Sequence, residues 1–128
     1  MGMPMSDAGG LITQSFTLPI GPTVNAMYGN RSGGGRGRFP MPAYKAWKRH
    51  AGLELNLARP VPMTGPWRLA IELPRDARGD ADNYIKPLAD LLVTHKVTPD
   101  DRHMELGSVT KSGARPGFVR LTLTGVPA

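Results

Sequence analysis

Two stretches near opposite ends of the chain, LITQSFTLPI at 11–20 and FVRLTLTG at 118–125, alternate apolar with polar side chains. Side chains along a strand return to one face every second residue, so the alternation requires strands with one dry face and one wet face. In the second stretch Val119, Leu121 and Leu123 oppose Phe118, Arg120, Thr122 and Thr124. PWRLAIEL at 66–73 reads as another strand, ending at Pro74, and RHMELGSVTK at 102–111 as a further extended run.

Two helical patterns lie between the strands. From Pro42 to about Leu57, Trp47, Ala51, Leu55 and Leu57 form an apolar face beside Lys45, Lys48, Arg49 and His50, with Gly52 weakening the helix. In ADNYIKPLADLLVTHK, Ile85, Leu88, Leu91 and Leu92 share a second helical face that runs to about His95 or Lys96. Pro87 conflicts with that helix, because its ring would meet the carbonyl of Asn83 and remove one bond. The first turn must therefore be distorted, or the helix must begin later. The element order is β-(loop)-α-β-α-β-β, an α+β domain with a small mixed sheet and two helices on one face. A chain of 128 residues supports one such core, expected over 11–126, with residues 1–10 a disordered tail.

Charge is divided unevenly. Residues 1–79 hold ten Lys/Arg against four Asp/Glu, and residues 80–128 hold six against six. Five of the ten acids are aspartates between 80 and 101, a small acidic centre in a basic protein. That arrangement suits a polyanion brought to a metal, although a positive surface also serves solubility alone. No cysteine is present, which excludes disulfides, thiolate metal sites and thiol nucleophiles. No run approaches the ~20 apolar residues of a membrane span, and the first residues lack a signal-peptide pattern. A soluble, cytoplasmic protein without membrane contact is expected.

The stretch from Gly21 to Pro42 is rich in glycine and proline and is expected to be a long loop or open hairpin, with a short extended piece near Val24–Tyr28. Its RSGGGRGR segment offers Arg31, Arg36 and Arg38 on a backbone that can approach phosphates closely. It lacks the GK[ST] ending of a phosphate loop, so no nucleotide cofactor is expected. A flexible solvated loop and a DNA-contacting arm both remain open for it. Tyr44 and Trp47, beside cations, could stack on bases; their three-residue spacing favours a core role for Trp47.

The chemistry concentrates in RGDADNYIKP at 78–87. In an extended segment Asp80 and Asp82 would point the same way, and paired carboxylates are costly unless a cation lies between them. Mg²⁺, held through one or two carboxylates plus substrate phosphate, resolves that conflict. Asp82 could instead cap the following helix. Asp100 and Asp101 follow in VTPDD, itself an ordinary turn signal. A helix of about fifteen residues is ~22 Å long, so this pair reaches the first only if the turn and next strand run back along the sheet. The three histidines lack ligand spacing, DADNYIKPLADL lacks the glycine and glutamate of a calcium loop, and no GxSxG elbow is present.

The run Asp80-Ala-Asp82-Asn83-Tyr-Ile-Lys86-Pro-Leu-Ala-Asp90-Leu-Leu, followed by Val97-Thr-Pro-Asp100-Asp101, resembles the RusA family of Holliday junction resolvases. LPIGPTVNAMY is similar to that family's opening strand and the segment after it, so the resemblance covers about residues 12–125. It implies a homodimeric α/β endonuclease of DNA recombination and repair that uses Mg²⁺, with Mn²⁺ an alternative, to nick opposing strands of a four-way junction. It also implies Asp80, Asp82 and Asp101 as metal ligands, Lys86 as the catalytic lysine and Asn83 in support. Contacts to branched DNA are expected from Arg31, Arg36, Arg38, Lys45, Lys48, Arg75 and Arg78. A binding module without catalysis, and a nuclease of forks or flaps, are the alternatives.

Overall fold

The computed structural model describes residues 5–6, 10–23, 28–30 and 38–128. Its strands are β1 (Met5–Ser6), β2 (Ile12–Pro19), β3 (Tyr28–Asn30), β4 (Arg38–Pro40), β5 (Met63–Glu72), β6 (Met104–Thr110) and β7 (Phe118–Pro127). The helices are α1 (Pro42–Leu57) and α2 (Ile85–Thr94). One sheet has the order β1-β2-β7-β5-β6, and β3 pairs with β4 separately. The α+β order read from the sequence holds, with three short strands added. Within the expected tail, Met5 and Ser6 pair with Thr13 and Ile12; residues 1–4 and 7–9 lie outside the described residues, as do 24–27 of the expected extended piece.

The two alternating stretches pair with each other, antiparallel, from Ile12↔Gly125 to Pro19↔Phe118. That register stacks Ile12, Phe16 and Leu18 with Val119, Leu121 and Leu123 on the buried face. On the other face Thr13 meets Thr124 and Ser15 meets Thr122 through hydroxyl hydrogen bonds of 3.2 and 3.1 Å. Trp67, Leu69 and Ile71 of β5 continue the dry face. Both helices join this one apolar cluster, through Tyr44, Trp47, Ala51 and Leu55 of α1 and Leu88, Leu91 and Leu92 of α2.

Leu57 departs from expectation: it ends the apolar pattern of α1 yet is 67% exposed, because two residues past buried Leu55 it is turned about 200° around the helix, onto the outer face with exposed Leu53. Gly52, which weakens α1 as an isolated helix, admits the His95 ring, since a Cβ there would lie 2.4 Å from its Nε2.

Gln14 interrupts the apolar alternation of β2 and is nevertheless buried. Its amide clamps the backbone of Val61, accepting from the N–H at 2.9 Å and donating to the carbonyl at 2.8 Å. One side chain thus satisfies two backbone groups of the α1–β5 connection. Gln14→Leu is expected to leave both unpaired and cost about 1–3 kcal/mol, read as a lower urea midpoint at unchanged m-value.

Strands β5 and β6 are parallel neighbours, Trp67 opposite Met104 and Glu72 opposite Thr110. A parallel pair needs a crossover, and α2 supplies it by running back along the sheet. The chain leaves β5 at its C-terminal end, passes through residues 73–84 into α2, and returns through residues 95–103 to the start of β6. Three bonds fix that return: Val97 N–H to Leu92 O, Met63 N–H to Val97 O, and the Trp67 indole to Asp100 O.

Candidate functional site

The segment before α2 does not stay extended. Asp80 has extended backbone, but Ala81–Tyr84 form a 3₁₀ turn in which the Asn83 N–H bonds to Asp80 O at 3.1 Å. The strand alternation that would align Asp80 with Asp82 therefore ends at Asp80, and the two carboxylates project from a turn. This also resolves Pro87. Helix α2 begins at Ile85, so Pro87 occupies its first turn, where no intrahelical N–H bond is needed. Its buried ring lines a small apolar crevice with Trp47, Tyr84 and Leu88. The later helix start is the outcome of the two that the sequence left open.

Asp80 sits at the cap position of the 3₁₀ turn, yet its side chain makes no capping bond; Asp82 is one residue inside and is not a cap. Both are exposed, and neither carboxylate has a hydrogen-bond or ion-pair partner among the described residues. Asn83 is half-buried beside them. Tyr84 locks the turn, its hydroxyl donating to Arg78 O at 2.8 Å, and Lys111 donates to Gly79 O. Gly79 has φ +71°, which a side chain would strain. Two acids with no partner among the described residues are thus held on an anchored loop.

Lys86 lies in the first turn of α2, and its ammonium pairs with Asp90 at 3.5 Å. Asp90 lines a cavity of about 260 Å³ with Tyr44, Lys48, Val93, Thr94 and Asp101. The structure therefore brings Asp101 to the cavity of Asp90, which neither Asp80 nor Asp82 lines. The reason is topological: Asp80 and Asp82 precede the crossover helix and Asp101 follows it, so the ten residues of α2, about 15 Å of helix, lie between them. Among the described residues no three acidic or histidine side chains form a group that could hold a metal ion.

Asp100 takes the structural role in the DD pair. Its carboxylate accepts from the Arg102 N–H at 3.1 Å, and Arg102 Nε lies 3.5 Å away. That backbone bond first, then a hydrogen bond with the Asp101 carboxyl and the charges of Arg102 and His103, hold Asp100 below the ordinary aspartate range. A carboxylate lowered in the folded state adds stability above its unfolded pKa and loses it as pH falls through the folded one. Carboxyl NMR is expected to give Asp100 a titration midpoint below that of a model aspartate, with Arg102→Ala raising it.

The expected DNA-contacting cations divide into groups. Lys45 is exposed on the first turn of α1, and Lys48 lies over the Tyr44 ring at 4.8 Å. Arg75 and Arg78 are exposed on the loop that carries Asp80, and Arg78 borders a cleft of about 400 Å³ with Asp76, Tyr84 and residues 20–23. Arg31 and Arg36 lie outside the described residues, and Arg38 is placed by backbone alone, in β4. Tyr44 and Trp47 are both buried, at 2% and 7% exposure, so neither ring face is open to a base. Asp90 stands in the family-like run but carried no assigned role there; its i,i+4 spacing from Lys86 was the available signal. No helix among the described residues is long and apolar enough to cross a membrane. No protein-family model matches the chain, and no curated protein matches it.

Proposed function

We propose that this chain is a Mg²⁺-dependent endonuclease of branched DNA that cuts four-way junctions, working as a homodimer. The observation that carries the reading is the Asp80–Asp82 pair: two exposed carboxylates on an anchored loop, neither capping nor ion-paired among the described residues. Asp82, in the first turn, gains from the helix dipole, whereas Asp80 has no such reason to be there. As a pair they fit Mg²⁺, which takes one or two protein carboxylates and completes its shell with water and substrate phosphate. As a set of three with Asp101 they do not fit in the present arrangement. When bound, the ion would supply charge to polarise a scissile phosphate.

The protein's own groups have distinct tasks. Asp80 and Asp82 hold the ion, Arg75 and Arg78 on the same loop engage neighbouring phosphates, and Lys86 meets the charge that develops on the cut phosphate. Asn83 supports the turn. The excess of cations in residues 1–79 favours DNA over other anions. A two-fold dimer would match the symmetry of a four-way junction. A second reading, a branched-DNA-binding module without catalysis, is favoured by one observation, the separation of Asp101 from the Asp80–Asp82 pair.

A labelled four-way junction, a fork and a linear duplex, each incubated with the protein in Mg²⁺ or EDTA, separate these readings. Paired, Mg²⁺-dependent nicking of the junction is the expected result. Binding without cutting in both Mg²⁺ and Mn²⁺ would support the module, and preferential fork cleavage would move the substrate to forks and flaps.

A further inference from the structure

Lys86 has an acid one helical turn away in each direction, Asp82 four residues before it and Asp90 four residues after. On a regular α-helix both would lie beside it, and an acid on the N-terminal side is the better partner. The observed pair is with Asp90, Nζ to Oδ2 3.5 Å, against that preference. The 3₁₀ turn at Ala81–Tyr84 accounts for it. Two 3₁₀ steps to Tyr84 and two α-helical steps to Lys86 rotate it by about 80° from Asp82, against about 40° in a regular α-helix, so Asp82 leaves the Lys86 stripe. Pro87 maintains the offset, because a regular helix through residues 81–87 would drive its ring against the Asn83 carbonyl.

Asp90 suits the role of holding partner. Its side chain is 31% exposed against 57% for Lys86, so the acid is the more fixed of the two. The other nearby cation, Lys48 of α1, is drawn over the Tyr44 ring, and no ion pair joins it to Asp90 among the described residues. Asp101 lines the same cavity and directly follows Asp100, which is held by Arg102.

We propose that Asp90 is a positioning residue: it draws Lys86 toward the C-terminal half of α2 and so prevents its ammonium from neutralising the Asp80–Asp82 pair. Lys86 then stays within one side-chain swing of a phosphate at that pair without competing for the carboxylates before substrate arrives. The proposal rests on reading Asp80 and Asp82 as a cation site.

The test is Mn²⁺ binding to the full-length protein without DNA, followed by the electron paramagnetic resonance signal of the hydrated ion. Asp90→Asn is expected to weaken binding by about two- to five-fold, the worth of one exposed ion pair gained by the wrong partner. Asp90→Glu is expected to restore it. Removing a negative charge could weaken a cation site directly, so the decisive comparison is made in a Lys86→Met background. There Asp90→Asn is expected to change nothing. An equal loss with and without Lys86 would overturn the positioning role, as would an unchanged affinity in Asp90→Asn. Absence of Mn²⁺ binding in the wild type would overturn the cation site itself and this inference with it, a different observation from lost coupling.

Discussion

Asp82→Asn is expected to reduce junction cleavage by roughly 10³-fold while leaving junction binding within about two-fold, the scale of losing one group that meets developing charge. The substitution is nearly isosteric, and the Asp82 side chain caps nothing and pairs with nothing among the described residues, so the fold has little to lose. Nearly all the effect should therefore fall on the chemical step. Thermal unfolding of the variant is expected to coincide with wild type, and a gel-shift titration in Ca²⁺ reads binding without cutting. Wild-type cleavage by Asp82→Asn would remove the carboxylate pair from the mechanism. Asp101→Asn in the same assay reports whether the third acid joins the pair when DNA is bound: a loss matching that of Asp82→Asn means that it does.

The largest stability effect is expected at Trp47. Its indole donates to Pro19 O at 2.8 Å, packs against Gly21 so closely that a Cβ there would sit 2.4 Å from the ring, and stacks on Tyr44. It joins α1 to the end of β2. Trp47→Ala is expected to cost about 3–5 kcal/mol, because α1 and β2 are held by too many other contacts to collapse into the space. Trp47→Phe keeps most of the packing but leaves Pro19 O without its donor, at about 1–2 kcal/mol. Denaturant unfolding measures both. Junction affinity of folded Trp47→Phe is expected to match wild type. A ten-fold loss of affinity at little cost in stability would instead mean that the ring reads bases.

Much of the fold was legible because it follows from local rules. Alternation in β2 and β7 is set by the strand repeat, and the apolar stripe of α1 by the helical one, so those elements and their buried residues could be named without coordinates. Gln14 could not be read this way, since a polar residue at a buried strand position has meaning only once Val61 is opposite it. Leu57 departed for a different reason: Trp47, Ala51 and Leu55 recur every fourth residue, and Leu57, about 200° around from Leu55, belongs with exposed Leu53 on the outer face. Pro87 was legible as a conflict, and the conflict was real; a 3₁₀ turn resolved it by starting α2 at Ile85.

At the candidate site the division is sharper. Residue types and spacing alone determined that two carboxylates stand one residue apart before a helix, that a lysine follows four residues later, and that positive charge gathers in the first part of the chain. These are properties of neighbours along the chain, where a few bond lengths limit the possibilities. Only the tertiary structure decided which acid Lys86 meets, that Asp100 is the structural member of its pair, and that Asp101 shares a cavity with Asp90 of α2. Those outcomes depend on a parallel β5–β6 pair and the crossover it imposes. No local pattern encodes the direction in which a distant strand will run.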